Sequence, residues 1–468
     1  MQNLNALMKA LLLPVCLGLL LSTLAAGRLA AQTRIVRVAT YNLEADINGV
    51  TAPLPGLIAP PGSPTSYQSG GVLEGIGEEL VNGNAQPLDV LALQETTSNS
   101  QTVAPIVNGL NTFYGIAGMY ATSPYQAGQA GSNGDGNGPN ALVYNTRTLQ
   151  LLASTPVDPP GGQSGLGSGS GELREVVRYE FAPAGVAVTA SNVFYVYVSH
   201  YKSGTTSGDL TERAGEAAII RTNEALDLPP SARVVYVGDY NITTSGEASY
   251  QTILAATAPN GIAQGGGIDP MNTTDNQNIN WGATTTATNI LALETEHSYD
   301  LEYRDDLQIM TTNVYYGTPG GLKYVPGSYH TFGNNGSVAY KGTVAGAGNT
   351  ALAGRLVTNG PVFIPAAQLY LDLTNASDHL PVVADYALPM PAPVIGSVSL
   401  AGSNLVATVA NCATNSLLTL LTSTDLGLPV ANWIAVATVT ATSDTIGFTA
   451  TNVTGGANPM MFFLLWEK

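Results

Sequence analysis

Short apolar runs recur along the chain, and many of them stop at a polar residue. "RIVRVATYNL" (34–43), "DVLALQE" (89–95), "ALVYN" (141–145), "VFYVYVSHY" (193–201), "RVVYVGDYN" (233–241), "DLQIMT" (306–311) and "HLPVVADY" (379–386) are β-branched or aromatic, or alternate in polarity, and predict strands. Helical periodicity is rarer. "VLEGIGEELV" (72–81) carries it, and "DLTERAGEAAIIRTNEAL" (209–226) carries it most clearly, with Asp209 or Thr211 as the expected cap. Gly/Pro/Ser/Asn-rich stretches separate these elements at 48–71, 127–140 and 159–173. Loops of that length in a compact domain are functional rims or insertions.

The same pattern divides the chain. Residues 1–31 fit a cleaved signal peptide: Lys9 in the n-region, an apolar stretch from Ala10 to Ala26, and Leu29-Ala30-Ala31 before Gln32. Residues 32–388 form the mixed, strand-rich domain, 389–396 a Pro-rich linker, and 397–468 alternate as short strands with neutral turns, which predicts a small β-sandwich.

Composition narrows the function. Charged residues are 10% of the chain, against a usual share of about 25%. The formal charge is −17, and cleavage after Ala31 makes it −19 by removing Lys9 and Arg28 and no acid. Such a surface does not draw in polyanions by itself, so contact with nucleic acid needs local cations or a divalent metal. Only Cys412 remains beyond residue 31, which excludes an internal disulfide and a Cys-based zinc site in the mature chain.

The chemistry sits at the strand ends. "VATYNLE" delivers Asn42, "LALQET" Glu95, "YVSHYKSG" His200 and "YVGDYNI" Asp239 and Asn241; "YRDDLQIMT" opens on Arg304, Asp305 and Asp306, and "SDHLPV" on Asp378 and His379. Each alone is explained by a turn, a cap or a packed histidine. Together they place carboxylate, carboxamide and imidazole on rigid strand ends, as a preorganised site requires.

These motifs resemble the endonuclease/exonuclease/phosphatase superfamily over roughly residues 34–388, most specifically through "SDHLPV" with "GDYN" and "LQE" in support. The resemblance implies a four-layer α/β sandwich, two mostly antiparallel sheets face to face with helices outside. It implies metal-dependent phosphoester hydrolysis, with Mg²⁺ or Mn²⁺ held by Glu95, Asn42 and Asp378; Ca²⁺ stays open as a structural ion. His379 becomes a base or phosphate donor oriented by Asp306, Asp239 the group that positions or deprotonates water, and Asn241 and His200 donors to the phosphate. Lys202 is a phosphate-contact candidate and Asn140 a cleft-lining one. Asp305 competes with Asp306, and the choice of base between Asp239 and His379 stays open. His297 and His330 match no motif and read as structural or surface.

The expected activity is that of a secreted or periplasmic nuclease acting on DNA or RNA without stable membrane insertion. The other readings are a phosphodiesterase or phosphatase for lipid, inositol-phosphate or other small substrates, and a binding or adhesion protein that kept the fold without catalysis. The C-terminal module is a candidate for attachment to a cell surface or to secretion machinery. The sequons at Asn241 and Asn375 lie inside the expected site, where a glycan would obstruct it; this favours secretion by a bacterium, or sequons left unmodified.

Overall fold

The structure is a computed structural model that describes residues 32–44, 71–123, 140–157, 176–272, 281, 291–295, 301–358, 363–390, 394–410, 412, 417–423, 428, 432–441, 445–451 and 462–467. The expected signal peptide, most of the three Gly-rich stretches, and His297 lie outside them. One compact unit comprises Ile35–Ala184 and Val188–Leu388, and the C-terminal strands belong to a second.

Two sheets form the larger unit. The first contains β1 (Gln32–Asn42), β2 (Val90–Gln94), β3 (Tyr120–Thr122), β4 (Ala141–Asn145), β11 (Lys323–Tyr324) and β13 (Val382–Met390), in the order β11-β13-β1-β2-β4-β3, with β12 (His330–Thr331) also on β13. The second contains β5 (Leu149–Val157), β6 (Val176–Pro183), β7 (Phe194–His200), β8 (Val234–Asp239), β9 (Gly267–Ile268) and β10 (Asp306–Thr311), ordered β5-β6-β7-β8-β10-β9. β1–β2 and β7–β8 are parallel, and the other pairs with a resolved register are antiparallel.

Side-chain alternation converts these sheets into four layers. Val36, Val38, Val90 and Ala92 meet Val196, Val198, Val235 and Val237 between the sheets. The opposite face of the first sheet, with Ala39, Tyr41, Leu91 and Leu93, packs on α1 (Val72–Glu78), α2 (Ala104–Phe113) and α6 (Ala366–Ala376). The opposite face of the second, with Val234, Tyr236, Leu307 and Ile309, packs on α3 (Ser207–Asp227) and α4 (Ala248–Leu254). Each fully buried Val, Leu or Ile contributes about 1.5–3 kcal/mol. A one-residue slip would turn every one of them to the wrong face, so register is fixed.

Several expectations are corrected. α3 is capped by Thr206, and Asp209 is the reciprocal third residue of the capping box, because its carboxylate accepts from the Thr206 amide. Helix α1 stops at Glu78, since Glu79 is extended and bridges to Leu356. The apolar run at 379–386 becomes strand only from Val382, and β13 continues to Met390. β14 (Val394–Ala401) is the next described element.

Within the second unit, β14, β15 (Asn404–Ala410) and β18 (Ile446–Ala450) form one sheet, and β16 (Leu417–Ser423), β17 (Ile434–Thr440) and β19 (Phe462–Glu467) another. Leu405, Val409, Leu418, Leu420 and Phe448 share a core with the buried free thiol of Cys412. That is the small all-β sandwich expected from the sequence. No helix among the described residues is long and apolar enough to cross a membrane.

Candidate active site

Strand parity sets where the polar ends point. Residues two apart share a face, so Val36, Val38, Thr40 and Asn42 line the inner face of β1. His200 follows Val196 and Val198 on β7, and Asp239 follows Val235 and Val237 on β8. Asp306 precedes Gln308 and Met310 on β10. Register then aligns them: His200 lies opposite Asp239, which lies opposite Asp306. Thr40 Oγ1 donates to Gln94 Oε1 at 3.1 Å, tying β1 to β2 just before Asn42 and Glu95. Glu95 has φ 52°, a conformation uncommon outside glycine, and so leaves strand geometry as its side chain enters the site.

Asp239 is held from several sides. Asn42 Nδ2 donates to its Oδ2 at 3.0 Å, and the Asn241 amide donates to its Oδ1 at 3.0 Å. The Glu44 amide donates to Asn42 Oδ1 at 3.0 Å, fixing the carboxamide in turn. Asn241 is also left-handed, φ 49°, and its Nδ2 donates to the Tyr201 carbonyl at 3.0 Å. His200 Nε2 lies 3.4 Å from Glu95 Oε1 and 3.4 Å from Asp239 Oδ2.

The second half of the site crosses between the sheets. His379 Nδ1 is 2.7 Å from Asp306 Oδ2, so Asp306 is the orienting carboxylate and Asp305 is not. Asp378 Oδ1 is 3.9 Å from His379 Nε2. Burial alone would lower the proton affinity of His379. The charge and hydrogen bond of Asp306, with Asp239 and Asp378 nearby, hold its pKa well above the ordinary value. Ser377 explains why a serine precedes the pair: its Oγ donates to the Asn42 carbonyl at 2.6 Å and accepts from the His379 amide at 3.0 Å.

The family model for the endonuclease/exonuclease/phosphatase family matches residues 39–292, over half of the chain. The chain belongs to this family. It is accordingly a metal-dependent hydrolase of phosphoester bonds. The matched span contains Asn42, Glu95, His200, Asp239 and Asn241; the structure adds Asp306, Asp378 and His379 from beyond it.

Among solved structures, the chain is similar to the human Nocturnin catalytic domain with bound sulfate (14% identity, 77% of this chain and 97% of that one, TM-score 0.41). It is also similar to ANGEL2, a 2',3'-cyclic phosphatase in complex with adenosine-2',3'-vanadate (15%, 77% and 99%, 0.40). A third is an endonuclease/exonuclease/phosphatase from Beutenbergia cavernae DSM 12333 (14%, 92% and 100%, 0.36). No curated protein matches the chain significantly.

The donor set fits the divalent ion this family requires. Ligand atoms of Glu95, His200 and Asp239 all lie within 4.8 Å of one another, and all three residues are buried. Of the three ligands expected from sequence, Glu95 belongs to this group; Asn42 bonds its Asp239, and Asp378 lies against His379.

The remaining candidates have other partners. Lys202 Nζ is 3.6 Å from Asp209 and donates to the Ser203 carbonyl at 3.0 Å. Asn140 is buried, with Nδ2 3.5 Å from the Val198 carbonyl. Arg304 is committed to Asp269 through 2.7 and 3.0 Å bonds, between the rings of Trp281 and Tyr329. His330, which matched no motif, pairs with Glu79 at 2.6 Å. Sequence reasoning missed Arg213 and Glu247. Arg213 Nη1 donates to the carbonyls of Lys202 (2.9 Å) and Gly204 (2.7 Å), while Glu247 accepts from Arg213 and from the Thr243 amide (2.8 Å). Together they tie the segment after His200 to the one after Asn241. The sequence signal for Arg213 was a charged residue on the buried side of an amphipathic helix; Glu247, at the N-cap of α4, carried none.

Gly238 gives a local prediction. It pairs with Ser199 across β7–β8, has φ 153°, and a β-carbon on it would collide with the Ser199 carbonyl. Gly238→Ala therefore forces the strands apart beside both His200 and Asp239. We expect at least a tenfold loss of kcat, since a misplacement near 1 Å can cost about a hundredfold. Wild-type turnover in Gly238→Ala would refute this.

Proposed function

We propose that the protein is a secreted phosphodiesterase that uses Mg²⁺ or Mn²⁺ and degrades extracellular nucleic acid. The observation that carries the reading is the joint convergence of the Glu95–His200–Asp239 donor group and the Asp306–His379 pair from different strands. Glu95 is the principal metal ligand, with Asn42 and Asp378 completing the shell directly or through water. The bound ion would supply charge neutralisation on the phosphate oxygens and a lowered pKa for a coordinated water. Asp239, clamped by Asn42 and Asn241, orients the attacking water and takes its proton. His379 keeps Nδ1–H on Asp306 and donates from Nε2 to a phosphate oxygen. His200 and Asn241 add donors, and Lys202 adds one if it leaves Asp209. The signal-like residues 1–31 support export, and the C-terminal sandwich is proposed as an attachment module.

A specific observation favours a second reading, in which the substrate is a small phosphodiester. The cations flanking the site residues already hold carboxylates: Lys202 with Asp209, Arg213 with Glu247, and Arg304 with Asp269. The stretches 48–71 and 127–140 contain no Lys or Arg. A long polyanion has few partners here.

The test is a substrate panel of plasmid DNA, RNA, sphingomyelin, inositol phosphates and bis-p-nitrophenyl phosphate, each with Mg²⁺, with Mn²⁺ and with chelator. Hydrolysis that chelator abolishes and metal restores is the expected result. Absence of hydrolysis with any divalent ion would overturn the enzymatic reading. A nuclease that neutralises several phosphates loses DNA affinity steeply with salt, whereas the small-substrate reading expects KM to be nearly salt-independent.

A further inference from the structure

The His379–Asp306 hydrogen bond joins residues carried by different sheets, so its length is set by whatever fixes one sheet end against the other. Asp306 opens β10 in the second sheet, and His379 lies three residues before β13 in the first. Thr295, fully buried, contacts both segments. Its Oγ1 accepts from the backbone amides of Asp305 and Asp306, each at 3.1 Å. Its carbonyl accepts from the amide of Leu380 at 2.7 Å, next to His379, and its own amide donates to the Tyr303 carbonyl at 2.6 Å. One residue thus binds the chain on either side of the dyad. Deeper between the sheets, Gln308 Nε2 repeats the cross-tie by donating to the carbonyls of Val38 (3.0 Å) and Val382 (2.8 Å). Gln308 lies a full strand repeat from the site row; Thr295 is level with it.

Resting on the reading of His379 as the group that meets the phosphate, we infer that Thr295 is a positioning residue for the reaction: its hydroxyl and carbonyl set the separation of Asp306 and His379. The hydroxyl oxygen is the element that matters. Valine has the same shape and lacks the acceptor, so two buried amides lose their partner and the start of β10 moves. Serine keeps the acceptor. The fault is in geometry, so it acts on turnover rather than on substrate capture.

The experiment compares wild type, Thr295→Val and Thr295→Ser on bis-p-nitrophenyl phosphate, alone and combined with His379→Ala. It also records the low-field imidazole N–H resonance of His379, assigned by its loss in His379→Ala. The expected result is that Thr295→Val lowers kcat by about 10- to 100-fold with KM within about twofold, and broadens or shifts the resonance. Thr295→Ser retains the resonance and most of the rate, and the valine change has no further effect once His379 is alanine. The resonance is read without turnover, so a wild type inactive on every phosphodiester sinks the proposed function while this arm still judges Thr295. An unchanged resonance and rate in Thr295→Val would overturn the inference, as would a serine variant as impaired as valine, or a valine effect of equal size in the His379→Ala background. Where the valine variant does not fold, Thr295→Ala takes its place. If neither folds while serine does, Thr295 is a folding determinant and the inference fails.

Discussion

His379→Ala is expected to lower kcat on bis-p-nitrophenyl phosphate by about a thousandfold, with a change in KM of only a fewfold. A positioned proton donor or acceptor contributes typically 10²- to 10⁴-fold. His379 Nδ1 is spent on Asp306 at 2.7 Å, which leaves Nε2 as the working nitrogen. Asp306→Asn keeps the shape of that contact and removes its charge, so it should cost less than the alanine change but more than tenfold. Asp239→Asn should be as severe as His379→Ala. Its two oxygens are fixed by Asn42 and by the Asn241 amide, and a carboxamide cannot take a proton from water. Stopped assays at saturating Mn²⁺, with circular dichroism to confirm folding, check all three. Variants of His379 and Asp239 that turn over like wild type would remove both residues from the chemistry.

Strand ends were legible because one rule, alternation, decides both burial and direction. From "VVYVGD" it follows that Asp239 shares a face with Val235 and Val237, and β8 has that alternation through Asp239. Glu95 was recognised by type, but its left-handed backbone was not foreseeable, because positive φ in a non-glycine residue is imposed by tertiary contacts. Strands β5 and β6 escaped notice: "LQLLASTPV" alternates poorly and is only partly buried. Helix α6 follows Pro365 with no side-chain cap and no acidic residue in its first turn, so it lacked a start signal in the sequence. What sequence could not supply is anything fixed by pairing across space. Ser377 is by type an ordinary turn residue, yet it links β1 to His379, and Thr295 carried no signal at all. The hydroxyl of a buried threonine is informative only once its partners, ten and eleven residues away, are known.

The middle of β1 carries the largest expected stability effect. Arg37 is fully buried five residues before Asn42 on β1, about 16 Å from it at strand rise. Its guanidinium makes a two-point contact with Asp385 (2.7 and 3.0 Å) and donates to the carbonyls of Ile76 (2.7 Å) and Glu79 (3.0 Å). Arg37→Met strands the Asp385 carboxylate without a counter-charge, which should cost about 3–5 kcal/mol in urea unfolding. Lysine should not rescue it, because a point charge cannot reproduce the planar fork. Adding Asp385→Leu should restore much of the loss, since a buried pair replaced whole is often near neutral. Activity per folded molecule should hold, because the site row lies five residues away, at the end of the strand. Glu79 extends the network to His330 (2.6 Å) and Arg355 (2.8 Å). Burial would raise its pKa, but His330, Arg355 and Arg37 hold it below its ordinary 4.5. A carboxyl depressed in the folded state contributes stability that is fully present above the unfolded value and lost as pH falls through the folded one. Wild type should therefore weaken below about pH 4.5, and Glu79→Gln, already weaker at pH 7, should weaken less steeply there. Parallel acid limbs for the two proteins would show that the charges around Glu79 do not stabilise its ionised form.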